Sequence, residues 1–245
     1  MRMRNWVGPA KDYKKGAEEF LQLFVTRCAL KPNERVLDVG CGVGRLARPL
    51  TRYLKENGSY EGFDIVPKQI SWAEKAFGKH FPNFYFQHAD IYNKEYNPKG
   101  KIKASEYRFP YESESFDFIF LTSVFTHMLR EDVEHYFSEI SRVLKPKGRC
   151  LISCFLINPT SLKLIEEKKS TLSFQYPNNG YRTSEKDTFE SSVAYEEEIM
   201  KKLFDKNGLK IVEPILYGWW STGQSSMPSS RYQDIIIATK QNNPY

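Results

Sequence analysis

The sequence predicts an α/β fold of three layers, a seven-stranded and mostly parallel sheet between helices, ending in an antiparallel C-terminal strand. Three observations carry this prediction. Apolar and aromatic runs alternate with amphipathic helical stretches, the mark of βαβ units with right-handed crossovers. The first such run breaks into three alternating glycines and then a helical pattern. The last two strands follow one another with no helix between them, so they cannot be parallel neighbours and the sheet must end in an antiparallel element.

Residues 16–29 place Phe20, Leu23, Phe24 and Cys28 at helical spacing, in an N-terminal helical segment (1–33) that Lys31-Pro32-Asn33 closes. Strand one is expected over 35–39, followed by a helix over 43–56 that stops at Asn57-Gly58. Strand two is expected over 60–65, and Pro67 opens a helix to residue 78. Strand three covers 84–90. Residues 92–114, rich in Asn, Pro, Gly, Lys and Glu, read as an excursion before strand four at 116–121. Val133, Tyr136, Phe137, Ile140, Val143 and Leu144 mark a helix over 132–144, stopped by Pro146 and Lys147-Gly148. The apolar run 150–157 suits a strand buried on both faces. Polar residues 158–194 read as a lid-like insertion. A helix over 195–207, a strand over 209–216, an aromatic Gly/Ser loop at 217–230 and a strand over 232–239 complete a Rossmann-like chain of 245 residues, a length that one α/β domain fills.

Composition excludes several classes. With 40% hydrophobic and 27% charged residues, the chain is neither disordered nor fibrous. It has no run of eighteen apolar residues and no apolar stretch at the N-terminus, so neither a membrane span nor a secretory signal is expected and the cytoplasm is the expected location. The 36 Lys and Arg against 30 Asp and Glu are scattered, with small groups such as Lys99, Lys101 and Lys103, and no nucleic-acid partner is expected. Cys28, Cys41, Cys150 and Cys154 form no C-x-x-C pair and lie near no His at ligand spacing, so neither zinc nor a disulfide framework is expected.

The stretch Val36-Leu37-Asp38-Val39-Gly40-Cys41-Gly42-Val43-Gly44 carries the functional signal. Alternating glycines permit positive φ and let a ligand lie on bare backbone, with a helix start behind it. Gly42-Val43-Gly44-Arg45-Leu46-Ala47 also fits G-x-G-x-x-A, with Asp64 near the expected ribose acid, so an NAD(P)-dependent oxidoreductase is one reading. Three acids shift the balance. Asp38 sits inside strand one, and Asp64 and Asp90 close strands two and three, which together surround one crevice and suit an amine, a ribose diol and an exocyclic amino group.

At these residues the chain resembles the class I S-adenosylmethionine-dependent methyltransferases, in particular the group that includes the ubiquinone and menaquinone methyltransferases. The glycine stretch, Glu61-Gly62-Phe63-Asp64-Ile65, Phe116-Asp117-Phe118-Ile119 and Ile140 through Gly148 carry the resemblance, which spans roughly residues 34–156. It implies S-adenosyl-L-methionine as cofactor, with Gly40, Cys41, Gly42 and Gly44 against its methionine part and Asp38 near the ammonium. Asp64 would take the ribose hydroxyls, Ile65 an adenine face, and Asp90 the adenine amino group with Ile91 beside it. Leu121 to His127, at the end of strand four, would border the methyl group. His127 is the candidate general base, and Tyr13 a candidate to close over the cofactor. The expected activity is methyl transfer to an oxygen or nitrogen of a small-molecule acceptor, such as a sugar or a secondary metabolite. The loop 217–230, with Trp219 and Trp220, and the insertion 158–194 are expected to build the acceptor pocket. A non-catalytic nucleoside-binding protein of the same fold is the remaining reading.

Overall fold

The computed structural model describes residues 10–186, 192–223 and 228–242. Residues 1–9 of the N-terminal segment, 187–191 of the insertion and 224–227 of the aromatic loop lie outside the described residues. Helix α1 (Ala10–Thr26) precedes β1 (Arg35–Val39), α2 (Ala47–Tyr53), β2 (Ser59–Asp64), α3 (Pro67–Ala73) and β3 (Phe84–His88). Then come β4 (Phe116–Leu121), α4 (Arg130–Val143), β5 (Leu144–Cys154), β6 (Leu156–Ile157), α5 (Pro159–Glu166), β7 (Tyr176–Asn178) and β8 (Tyr181–Thr183). β9 (Val193–Glu196), α6 (Glu197–Lys206), β10 (Leu209–Ile211) and β11 (Asp234–Lys240) finish the chain.

The main sheet has seven strands in the order β10-β11-β5-β4-β1-β2-β3. β11 runs antiparallel to both its neighbours, wedged between β5 and the edge strand β10, while β1 to β5 are parallel. Side chains alternate across the sheet and divide the core. Leu37, Val39, Ile119 and Leu121 face Phe137, Ile140 and Phe204 of α4 and α6. Val36, Phe118, Phe120 and Leu151 face Phe24 of α1, Leu50 of α2 and Ile70 of α3. The same alternation turns Asp38 toward the α1 side, where an apolar layer surrounds it.

Several boundaries differ from expectation, each for a local reason. Helix α2 starts at Ala47, not 43, because Gly44 holds φ +73°, outside the helical region. α3 ends at Ala73 and passes into a wide turn, Glu74–Gly78. Strand β5 begins at Leu144 rather than 150: the pairing jumps from Phe116↔Leu144 to Phe118↔Arg149, and Pro146 falls within this bulge, where a residue without an N–H is tolerated. β10 stops at Ile211 before Pro214, and only Leu216 rejoins the sheet, opposite Ile235. Residues 158–194 contain α5, opened by a reciprocal cap in which Asn158 and Ser161 bond each other's backbone N–H, and a hairpin turned at Gly180, φ +81°. The hairpin and β9 join β6 in a second sheet ordered β6-β9-β8-β7, so the segment expected to open the helix at 195 is a strand first.

Candidate active site

A cavity of about 700 Å³ opens beyond the carboxyl ends of the parallel strands, where doubly wound sheets take their ligands. Its floor is the glycine turn. Gly40 and Cys41 donate their N–H groups to Phe63 O at 2.9 and 3.0 Å, which latches the turn to the end of β2. Gly40 has φ +79°, and a Cβ there would lie 2.5 Å from Val124 Cγ2. Only glycine lets this backbone lie bare against both Val124 and the cavity.

Asp38 is buried, and its Oδ2 accepts a hydrogen bond from Tyr60 Oη at 2.7 Å. Burial pushes its pKa up to about 7, against the pull of the Tyr60 bond and of Arg45. Arg45 follows the turn directly, its guanidinium 5.4 Å from the centre of the Phe20 ring on α1. Burial lowers its pKa, while the Asp38 charge opposes that shift. Arg45 makes no hydrogen bond or ion pair to any described residue. Asp38 and Arg45 therefore face one cavity as opposite charges that do not touch.

Asp64 joins the turn to the end of β2: its two oxygens accept from Gly42 N at 2.8 Å and Val66 N at 2.9 Å. Burial raises its pKa and these backbone bonds lower it. Ile65 and Ile91 stand on the cavity wall with Asp38, Gly40, Cys41, Gly42, Asp64 and His127. Gly44, Asp90 and Leu121 do not. A Cβ on Gly44 would meet the Phe77 ring at 2.7 Å, and Leu121 is fully buried in the core. The Asp90 carboxylate lies 3.9 Å from Lys101 Nζ, and its carbonyl accepts from Lys101 N and Ile102 N, because the excursion folds back onto residues 90–92. Asp132, at the start of α4, lines the cavity and is braced by Ser105 of that excursion.

His127 ends a short turn, Phe125–His127, and faces Tyr96 with ring centroids 5.1 Å apart and Nε2 3.4 Å from Tyr96 Oη. Burial pushes the Tyr96 phenol up to about 12, so it stays protonated. Neither Tyr96 nor Arg45 has a site role that sequence pattern alone assigns. Their signals were an aromatic in an otherwise polar excursion, and a cation placed directly after the turn.

The far wall carries Ser123, Ser153, Trp219, Tyr232 and Gln233, and Tyr13 of α1 reaches the cavity as well. The two tryptophans separate. Trp220 is fully buried and its Nε1 donates to Asp234 Oδ2 at 2.7 Å, whereas Trp219 faces the cavity edge-on to Tyr232, centroids 4.6 Å apart. Asp234 also accepts from Gly218 N and Leu156 N, both at 2.7 Å; burial pushes its pKa up to about 6 despite these three bonds. All four cysteines are free, buried thiols. Among the described residues no three His, Cys, Asp or Glu are grouped to hold a metal ion, and no helix is long and apolar enough to cross a membrane.

A sheet of this order with a glycine turn, a buried strand acid and a second acid at the end of β2 defines a nucleoside-binding domain of the Rossmann-like type. A family model described as a methyltransferase domain matches residues 13–213. The chain belongs to that family, within the class I S-adenosylmethionine-dependent methyltransferases, whose methyl donor is S-adenosylmethionine. It is similar to a sterol 24-C-methyltransferase of Schizosaccharomyces pombe, 33% identical over 50% of this chain and 28% of the relative. It is also similar to phosphoethanolamine N-methyltransferase 3 of Arabidopsis thaliana, 31% identical over 59% of this chain and 26% of the relative. The chain thus spans little more than a quarter of these curated relatives. The solved PH0226 protein of Pyrococcus horikoshii shares the fold, with a TM-score of 0.63 at 18% identity over 95% of this chain and 92% of that one.

Proposed function

We propose that this protein transfers a methyl group to an oxygen or nitrogen of a small-molecule acceptor, with the cavity holding donor and acceptor together. The observation that carries the reading is the untouching pair Asp38 and Arg45 on either side of the glycine turn. A carboxylate and a guanidinium so placed match an α-ammonium and an α-carboxylate, the zwitterion of a methionine tail. A dinucleotide would bring a diphosphate to the turn, beside the buried acid Asp38, and that makes an oxidoreductase the weaker reading.

In this reading Asp38 accepts from the ammonium and Arg45 donates to the carboxylate. Asp64 spends one lone pair of each oxygen on Gly42 N and Val66 N, which leaves the others for two ribose hydroxyls. Ile65 and Ile91 offer apolar faces to the adenine, and Asp90, off the wall, has no part. When bound, S-adenosylmethionine supplies a methyl carbon made electrophilic by its sulfonium. The protein's own task is then alignment and exclusion of water. His127 takes the proton released by the acceptor, and Tyr96 fixes the plane of its ring. The names of the curated relatives, a sterol and a phosphoethanolamine methyltransferase, support a small acceptor.

Calorimetry with S-adenosylhomocysteine and with NADH tests the donor, and tight NADH binding without S-adenosylhomocysteine binding would overturn the reading. Incubation of a cell extract with radiolabelled S-adenosylmethionine tests turnover: a labelled small molecule is expected, and label confined to RNA would refute the acceptor class.

A further inference from the structure

Three polar side chains on the far wall form a closed unit. Ser123 N donates to Ser153 Oγ at 2.9 Å, Ser153 Oγ donates to Gln233 Oε1 at 2.6 Å, and Ser123 Oγ donates to the same Oε1 at 3.1 Å. The unit ties the loop just past β4, the C-terminal end of β5 and the residue before β11, at three strands of the main sheet. Ser123 sits at φ +61°, a conformation that non-glycine residues hold only when surroundings enforce it.

The consequence lies in the other half of the amide. With Oε1 engaged by two hydroxyls, the Gln233 orientation is fixed and its Nε2 carries two N–H donors. Nε2 bonds to no described residue, and Gln233 lines the cavity. Beside it, Trp219 and Tyr232 give an aromatic wall. Arg45 is the sole Lys or Arg on the cavity wall among the described residues, and it lies at the glycine turn, away from Gln233.

We propose that Gln233 is the residue that orients the acceptor, donating from Nε2 to a carbonyl-type oxygen on a flat, uncharged molecule seated against Trp219 and Tyr232. An anionic acceptor meets no fixed cation on that wall, and a purely apolar one leaves the preset donors unmatched, which costs affinity. The rigid serine support is what makes the amide selective: it holds the donor in place before the acceptor arrives.

This proposal rests on the methyltransferase reading, and the experiment separates the two. Protein saturated with S-adenosylhomocysteine is titrated by ligand-observed NMR with 4-hydroxyacetophenone and with 4-isopropylphenol, which replaces the carbonyl oxygen by a methyl group. The wild type is expected to bind the ketone roughly tenfold more tightly, the worth of one good hydrogen bond. Gln233→Leu should erase the preference, Gln233→Glu should weaken ketone binding further, and neither should alter affinity for S-adenosylhomocysteine. Equal affinities in the wild type, binding of neither phenol, or a preference that survives in Gln233→Leu would overturn the assignment. Failure of S-adenosylhomocysteine itself to bind would strike the donor reading instead.

Discussion

Replacing Arg45 by Met tests the zwitterion clamp, because methionine keeps an apolar stem of similar length and removes the charge, its donors and the guanidinium's place over Phe20. A charge-assisted hydrogen bond contributes about 1.5–3 kcal/mol. Arg45 has no hydrogen-bond partner among the described residues to release on binding, but it opens onto a cavity that admits water and screens part of the interaction, so about 2 kcal/mol is the working figure. That corresponds to roughly thirtyfold weaker binding of S-adenosylhomocysteine. Methylthioadenosine, which keeps the nucleoside and sulfur but lacks the amino-acid tail, should bind the variant and the wild type alike. A pH series adds a second readout. Asp38 must be ionised to accept from an ammonium, and its pKa near 7 means that S-adenosylhomocysteine affinity should fall as pH drops below 7. Arg45 holds that pKa down, so its removal should move the fall to higher pH. Isothermal titration calorimetry with both ligands from pH 6 to 9 reads all of these. Equal losses for both ligands would mean that the substitution damages the fold, and an unchanged S-adenosylhomocysteine affinity would refute the clamp.

Other outcomes follow from the same geometry. Asp38 is raised from the ordinary 3.8 to about 7, so its contribution to stability is full at low pH and lost as pH rises through 7. Asp38→Asn keeps an acceptor for Tyr60 and stays neutral, so it should raise Tm by roughly 2–6 °C at pH 8 and show no gain near pH 4 by scanning fluorimetry. Gly40→Ala combines positive φ with a Cβ 2.5 Å from Val124 and should cost about 2–4 kcal/mol in chemical denaturation, with loss of S-adenosylhomocysteine binding. His127→Ala should lower the single-turnover rate by about 100-fold or more while leaving S-adenosylhomocysteine affinity intact, whereas Tyr96→Phe should lose under tenfold; a variant at full rate across pH would make His127 structural.

The layered sheet was legible because alternation of strand and helix is written in local pattern, and the closing pair β10 and β11 betrayed itself by lacking a helix between. The cavity floor was legible for the same reason: Asp38, Gly40, Gly42 and Asp64 lie within short motifs whose backbone sets their direction. What escaped depends on contacts far apart in sequence. Tyr96 meets His127 across 31 positions, and Gln233 meets Ser123 across 110, so no window of sequence contains either pair. The second sheet escaped because β6, β7 and β8 have two or three residues each, too few to show a period. Asp90 stands apart from these: its motif position suggested a ligand contact, and in the fold it lies off the cavity wall, with the excursion that follows returning along residues 90–92.

Asp234 binds Leu156, Gly218 and Trp220 through one carboxylate, and so joins the mouth of the second sheet to the aromatic loop. Anyone who wishes to give this scaffold a new acceptor by transplanting the 217–223 loop inherits that constraint. A graft must bring a backbone N–H and an indole N–H to the same two oxygens, or the carboxylate is stranded and the neighbouring sheet loses its moorings. The interchangeable part is therefore larger than the loop: residues 156–223, with Asp234 as the socket they plug into.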